Sequence, residues 1–98
     1  MNRQVIFRPA AEREMLEAER WFEERHSELG QRFRDSVDAT IERIRQFPLA
    51  FQRVHGDKRR AMIPYFPYGL SFRLIDDHVV VAGVVHGHRD PAVWKSRR

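Results

Sequence analysis

Two histidines and a scatter of arginines in the second half of this 98-residue chain are the residue types from which a reaction could be built. His86 and His88 stand two positions apart at the end of an apolar, β-branched run. If strand geometry persists to Arg89, both imidazoles project from one face. Arg59, Arg60 and Arg73 occupy the segments just before, and Arg89 follows. Imidazole titrates near neutral pH, so a pair can act as base and acid. With cations around a pentavalent phosphate, the set would suit metal-free RNA cleavage through the 2′-hydroxyl.

Each of these residues also has a structural reading. His86 fits a hydrogen-bonded, partly buried histidine of a sheet, and His88 a solvent-facing one. Arg73 fits an ion pair with Asp76 or Asp90, or with an acidic partner chain, and Arg59-Arg60 a charged sheet edge that discourages aggregation. As a metal pair His86-x-His88 lacks an obvious third ligand, and the chain has no cysteine. Neither a metal nor another cofactor is expected.

Charge is divided unevenly along the chain. Residues 1–50 hold nine arginines against ten acidic residues, a net −1, whereas residues 51–98 hold seven arginines and two lysines against four, a net +5. Guanidinium forks suit carboxylates and phosphates, so the second half suits an acidic partner. A composition 42% hydrophobic and 33% charged is that of a soluble globular protein, and the length suits one domain spanning 1–98. The longest apolar run, Val79 to Val85, is too short to span a bilayer. No membrane partner is expected, no leader pattern precedes Gln4, and the cytoplasm is the simplest compartment.

The positioning elements follow from hydrophobic period. Gln4 to Arg8 reads as a short strand with Val5 and Phe7 on one face, and Pro9 opens a helix to about His26. Ala11, Met15, Ala18 and Phe22 form its apolar stripe. Ser27 is suited to cap a second helix from about Glu28 to Gln46, striped by Leu29, Phe33, Val37, Ile41 and Ile44 and ended by Phe47-Pro48. The period then becomes two. Phe51 to Val54 starts or precedes a strand, His55-Gly56-Asp57 is a turn, and Lys58 to Ile63 reads as a strand. Tyr68 to Ile75 alternates, Asp76-Asp77 suits a two-residue hairpin turn, and Val79 to His86 reads as a central strand. The expected class is α+β, ordered β-α-α-β-β-β, with a helical hairpin packed on a small, twisted, mainly antiparallel sheet.

The order and spacing of several short pieces resemble the RelE/ParE superfamily of type II toxin–antitoxin toxins, over Val5 to about Trp94. They are Phe7-x-Pro9-x-Ala11, Trp21-Phe22, Phe33-x-x-x-Val37, Ile44-Arg45-Gln46-Phe47-Pro48, Arg59-Arg60, Phe66-Pro67-Tyr68, Leu70-x-Phe72-Arg73 and Val84-Val85-His86-x-x-Arg89-x-Pro91-x-x-Trp94. The resemblance implies a toxin held in a hetero-oligomer by a cognate antitoxin. Two activities occur on the fold. A ParE-like member blocks DNA gyrase without being an enzyme, through the C-terminal strand and tail: here His86, Arg89, Trp94, Lys95, Arg97 and Arg98, with His88 among them. A RelE-like member cuts mRNA on the ribosome, for which Arg59, Arg60, Arg73, His86, His88 and Arg89 would be the catalytic set. RelE-like clefts are lined with several lysines, and this chain has only Lys58 and Lys95. The ParE-like branch is therefore favoured.

Adjacent Trp21 and Phe22 cannot both enter one helical stripe. With Met15 and Leu16 they make an anchor for an amphipathic antitoxin helix. A third reading, a non-toxic nucleic-acid-binding module, would stack bases on Tyr65, Phe66 and Tyr68. The first two sit between prolines and not on a strand face, and no RNP-like motif accompanies them.

Overall fold

A computed structural model describes residues 3–87. Of the residues expected to carry function, His88, Arg89, Trp94, Lys95, Arg97 and Arg98 lie outside this range. Strand β1 (Val5–Phe7) leads into helices α1 (Pro9–Arg25) and α2 (Ser27–Gln46), a 3-10 turn (Pro48–Ala50), and strands β2 (Gln52–His55), β3 (Lys58–Met62), β4 (Tyr68–Ile75) and β5 (His78–His86). The sheet order is β1-β5-β4-β3-β2, with β1 parallel to β5 and the other pairs antiparallel. The α+β hairpin-on-sheet architecture is as expected, with one strand more. The stretch from Phe51 to Val54 resolves into a separate edge strand, β2. Because β2 covers β3, Arg59 and Arg60 lie on an interior strand and not on the charged edge anticipated for them.

Local chemistry explains the element boundaries. Pro9 occupies the first turn of α1, where no N–H is needed. The break between the helices is His26, extended at φ −162°, and it is His26 rather than Ser27 that caps α2, its Nδ1 accepting the Glu28 N–H at 3.3 Å. Asp76 and Asp77 both take left-handed φ, 51° and 63°. That is the mirror-image two-residue turn whose twist suits a hairpin. Arg3 fastens this turn to the helices: its Nε meets Asp77 Oδ1 at 2.9 Å and its Nη1 donates to the Arg45 carbonyl at 2.8 Å. The latter satisfies a carbonyl at the end of α2 that has no helical partner.

The core lies between the hairpin and one face of the sheet. Ala11, Met15 and Ala18 of α1 and Phe33, Val37 and Ile44 of α2 meet Ala61, Leu70, Phe72, Val79, Val81 and Val84. The helices cross closely at Gly30, where an added Cβ would stand 2.9 Å from Glu23 Cβ, and Arg34 bridges to Glu19 at 3.1 Å. Gly30→Ala is therefore expected to destabilise despite alanine's better helix propensity. Overpacking costs about 1–3 kcal/mol against a propensity gain of about 1 kcal/mol. Urea unfolding should show a net loss of up to about 2 kcal/mol; a stabilised variant would mean that the helices separate freely.

Register determines which side chains share a face. Tyr68, Leu70, Phe72 and Leu74 alternate onto the helix side of β4. In β5 the pairing slips, Ser71 opposing Gly83 and Phe72 opposing Val81, so Ala82 is an extra residue. This bulge reverses the alternation beyond it. Val84 and His86 consequently face the helices together with Val79 and Val81, whereas unbroken alternation would have put them on the other side.

Candidate functional site

The four residues proposed as an antitoxin anchor divide by depth. Met15 is only 6% exposed and belongs to the core, so it is not an anchor. Its Cβ lies on the stripe set by Ala11 and Ala18, which the sheet covers. Leu16 and Trp21 remain at the surface, 44% and 47% exposed. Phe22 is half-buried, with ring centroids 5.2 Å from Phe33, 4.9 Å from Phe66 and 6.0 Å from Tyr68. It carries Trp21 on its edge at 5.1 Å. The guanidinium of Arg25 lies 3.5 Å from the Trp21 ring centroid and donates to the Trp21 carbonyl at 3.1 Å. The indole is thus exposed yet held in orientation from two sides.

Trp21 borders two adjoining surface cavities. One, of about 380 Å³, is lined by Glu14, Glu17, Ala18, Trp21, Tyr68, Val84, Val85 and His86. The other, of about 310 Å³, lies among Trp21, Phe22, Pro67, Tyr68 and His86. Glu14 builds the first wall by accepting the Val84 N–H of β5 at 3.0 Å. His86 is half-buried, its ring 5.3 Å from that of Tyr68 in a T-shaped contact. A residue proposed for target binding and one proposed for antitoxin binding therefore share the same two cavities, although 65 positions separate them in sequence. The bulge at Ala82 was the missing signal: without it His86 faces away from α1.

Among the described residues, those proposed for RNA cleavage do not converge. Arg59 opposes Phe72 and shares the helix side, whereas Arg60 opposes Ser71 and shares the other face with Arg73. His86 pairs with Tyr68, five positions along β4 from Arg73, a span of about 17 Å at strand rise. Arg59 Nη1 is spent on the carbonyls of Phe51 and Leu49, at 2.6 and 3.4 Å. Arg73 pairs with Asp57 and not with Asp76, Nε to Oδ1 at 3.0 Å and Nη2 to Oδ2 at 3.1 Å, and Asp90 lies outside the described residues. The turn after β2 brings Asp57 there because β3 lies beside β4. Among the described residues no group of three His, Asp or Glu side chains could hold a metal ion. The base-stacking platform also dissolves, since Phe66 and Tyr68 turn into the core cluster and leave Tyr65, 98% exposed at φ 70°, alone.

The Arg73 hydrogen bonds are the largest cause holding the Asp57 carboxyl below its ordinary range, with charge from Arg73 and Arg53 adding to them. A carboxyl depressed in the folded state contributes stability above its unfolded pKa and loses it as pH falls through the lowered folded value. The pair is at the surface, so its contribution is small. Arg73→Gln is expected to move the Asp57 titration upward, toward an ordinary aspartate, in a carbon-detected NMR titration. An unmoved titration would assign the depression to other groups.

No curated protein matches this chain. The family described as the ParE toxin of the type II toxin–antitoxin system, parDE, matches residues 5–91. That match takes in β1, both helices and the whole sheet, including Trp21 and His86, and the chain belongs to the ParE toxin family.

Proposed function

We propose that this ParE-family toxin acts on DNA gyrase by binding, without a reaction of its own, and that a cognate antitoxin neutralises it. One observation carries the reading: the exposed and oriented Trp21 borders two open cavities that are also lined by His86. An amphipathic helix seated on Trp21 would cover the root of the C-terminal segment at the same time. Neutralisation then follows from occlusion, because His86 leads directly into Arg89, Trp94, Lys95, Arg97 and Arg98. An aromatic among arginines is a typical composition for an interface hot spot. A toxin with these two partners would work in the cytoplasm.

The test is a supercoiling reaction with toxin freed from its antitoxin, scored also for trapped cleaved DNA. Inhibition with cleaved DNA, reversed by antitoxin, is expected. Folded toxin that arrests growth but leaves gyrase untouched would overturn the reading and direct attention to ribosome-bound mRNA.

A further inference from the structure

The other end of the molecule carries an apolar knuckle set in arginine. Tyr68 and His86 mark one end of the β4–β5 ladder and the Ile75–His78 pair the other, about 24 Å away at strand rise. Near that far end α2 terminates, and the chain turns through Phe47, buried Pro48, Leu49 and Phe51 into β2. Phe47 and Leu49 are 64% and 69% exposed, more than Leu16 or Trp21. Buried Pro48 fixes the turn that presents them, and Phe51 packs its ring 5.9 Å from that of core Phe72.

Three cations surround this turn. The Arg43 guanidinium lies 5.9 Å from the Phe51 ring centroid. Arg59 is tied to the turn through the carbonyls of Phe51 and Leu49. Arg53 is directly opposite Arg59 on neighbouring strands, so the two side chains share a face. Like charges at such a position repel, and the nearby carboxylates are committed elsewhere. Glu42 is engaged by Arg45 and Gln46, and Asp57 by Arg73, with Arg53 contributing only to its electrostatic field. Arg59 uses Nη1 for its carbonyls, which leaves further donors of the fork.

We propose that this knuckle is a second protein-docking surface, one that takes an acidic segment bearing a leucine or aromatic side chain. Carboxylates of the segment bridge Arg53 and Arg59 and reach Arg43, while its apolar side chain covers Phe47 and Leu49. A bridging anion converts the Arg53–Arg59 repulsion into an attraction, so the bound state gains what the free state lacks. The apolar pair between the arginines favours a protein segment over a nucleic-acid backbone, which would leave Leu49 in water. The surface is remote from Trp21 and does not depend on the gyrase reading.

The probe is a short synthetic peptide of glutamates flanking a Leu-Trp pair, titrated into the folded chain by NMR, with oligothymidylate of equal length alongside. The expected result is saturable shifts concentrated between Arg43 and Arg59, weakened by salt. Arg53→Glu and Leu49→Asp are each expected to weaken peptide binding at least about tenfold, and Trp21→Glu to leave it unchanged. Arg53→Gln provides a control on folding: removing a repulsion, its unfolding midpoint at low salt is expected to be no lower than the parent's. Shifts that cluster at Trp21 and His86, tighter binding of the oligonucleotide, or self-association through Leu49 in place of peptide binding would each overturn the proposal.

Discussion

Truncating Phe33 to alanine is expected to remove about 4 kcal/mol of folding free energy. Its side chain is fully buried, and its ring stands 5.2 Å from Phe22, 5.2 Å from Phe66 and 5.5 Å from Tyr68. Those three rings come from α1, the loop before β4, and β4 itself, so no single backbone shift can close the cavity. The cost therefore combines lost transfer energy with an unfilled void. Against a total stability of roughly 5–15 kcal/mol for a domain of ordinary size, the variant would sit near the limit of folding. Urea unfolding of Phe33→Ala beside Phe47→Ala is the measurement. Phe47 is 64% exposed, and its truncation is expected to change stability by less than about 0.5 kcal/mol. A loss below about 1.5 kcal/mol at Phe33 would show that the cluster repacks and would detach Phe22, and hence Trp21, from a rigid base.

That cluster was partly legible in the sequence. The helical stripes identify Phe22 and Phe33, and the alternation of Tyr68, Leu70, Phe72 and Leu74 identifies the buried face of β4. Both signals are periodic, and periodicity survives without knowledge of neighbours. What was not legible depends on neighbours. Strand β2 is four residues of mostly exposed side chains and has no alternation of its own; its pairing with β3 creates it. Arg73 finds Asp57 because β3 lies beside β4, a relation that the linear distance conceals. The depth of Met15 against Leu16 is a matter of one position on a helix, decided by which side the sheet covers. The side on which His86 emerges depends on a single extra residue, Ala82, within a run of nearly uniform apolar composition. Such a run gives no signal for a bulge, and a one-residue slip moves every later side chain to the other face.

Because that slip places His86 beside Trp21, the charge-reversing substitution Trp21→Glu tests the proposed neutralisation as well as the contact. Loss of an anchoring tryptophan from an interface typically costs about 2–4 kcal/mol, so antitoxin affinity is expected to fall roughly 30- to 700-fold. The fold should tolerate the change. Trp21 is 47% exposed, and its contacts with the Phe22 edge and Arg25 lie outside the buried cluster. Toxicity should persist, since the side chains proposed for target binding, from His86 onward, are not altered by the substitution. Leu16→Glu, five positions earlier and 44% exposed, should have a smaller effect in the same direction, because leucine buries less area and lies on a different side of the helix from Trp21. Calorimetric titration of antitoxin into each variant, together with growth arrest on co-expression, separates the outcomes. Weaker binding with growth arrest restored in the presence of antitoxin is expected. Affinity within threefold of the parent would place the antitoxin elsewhere on the molecule. Loss of soluble protein would show instead that the indole serves the hairpin, and Arg25→Ala, which exposes the ring without charging it, would then report on binding alone.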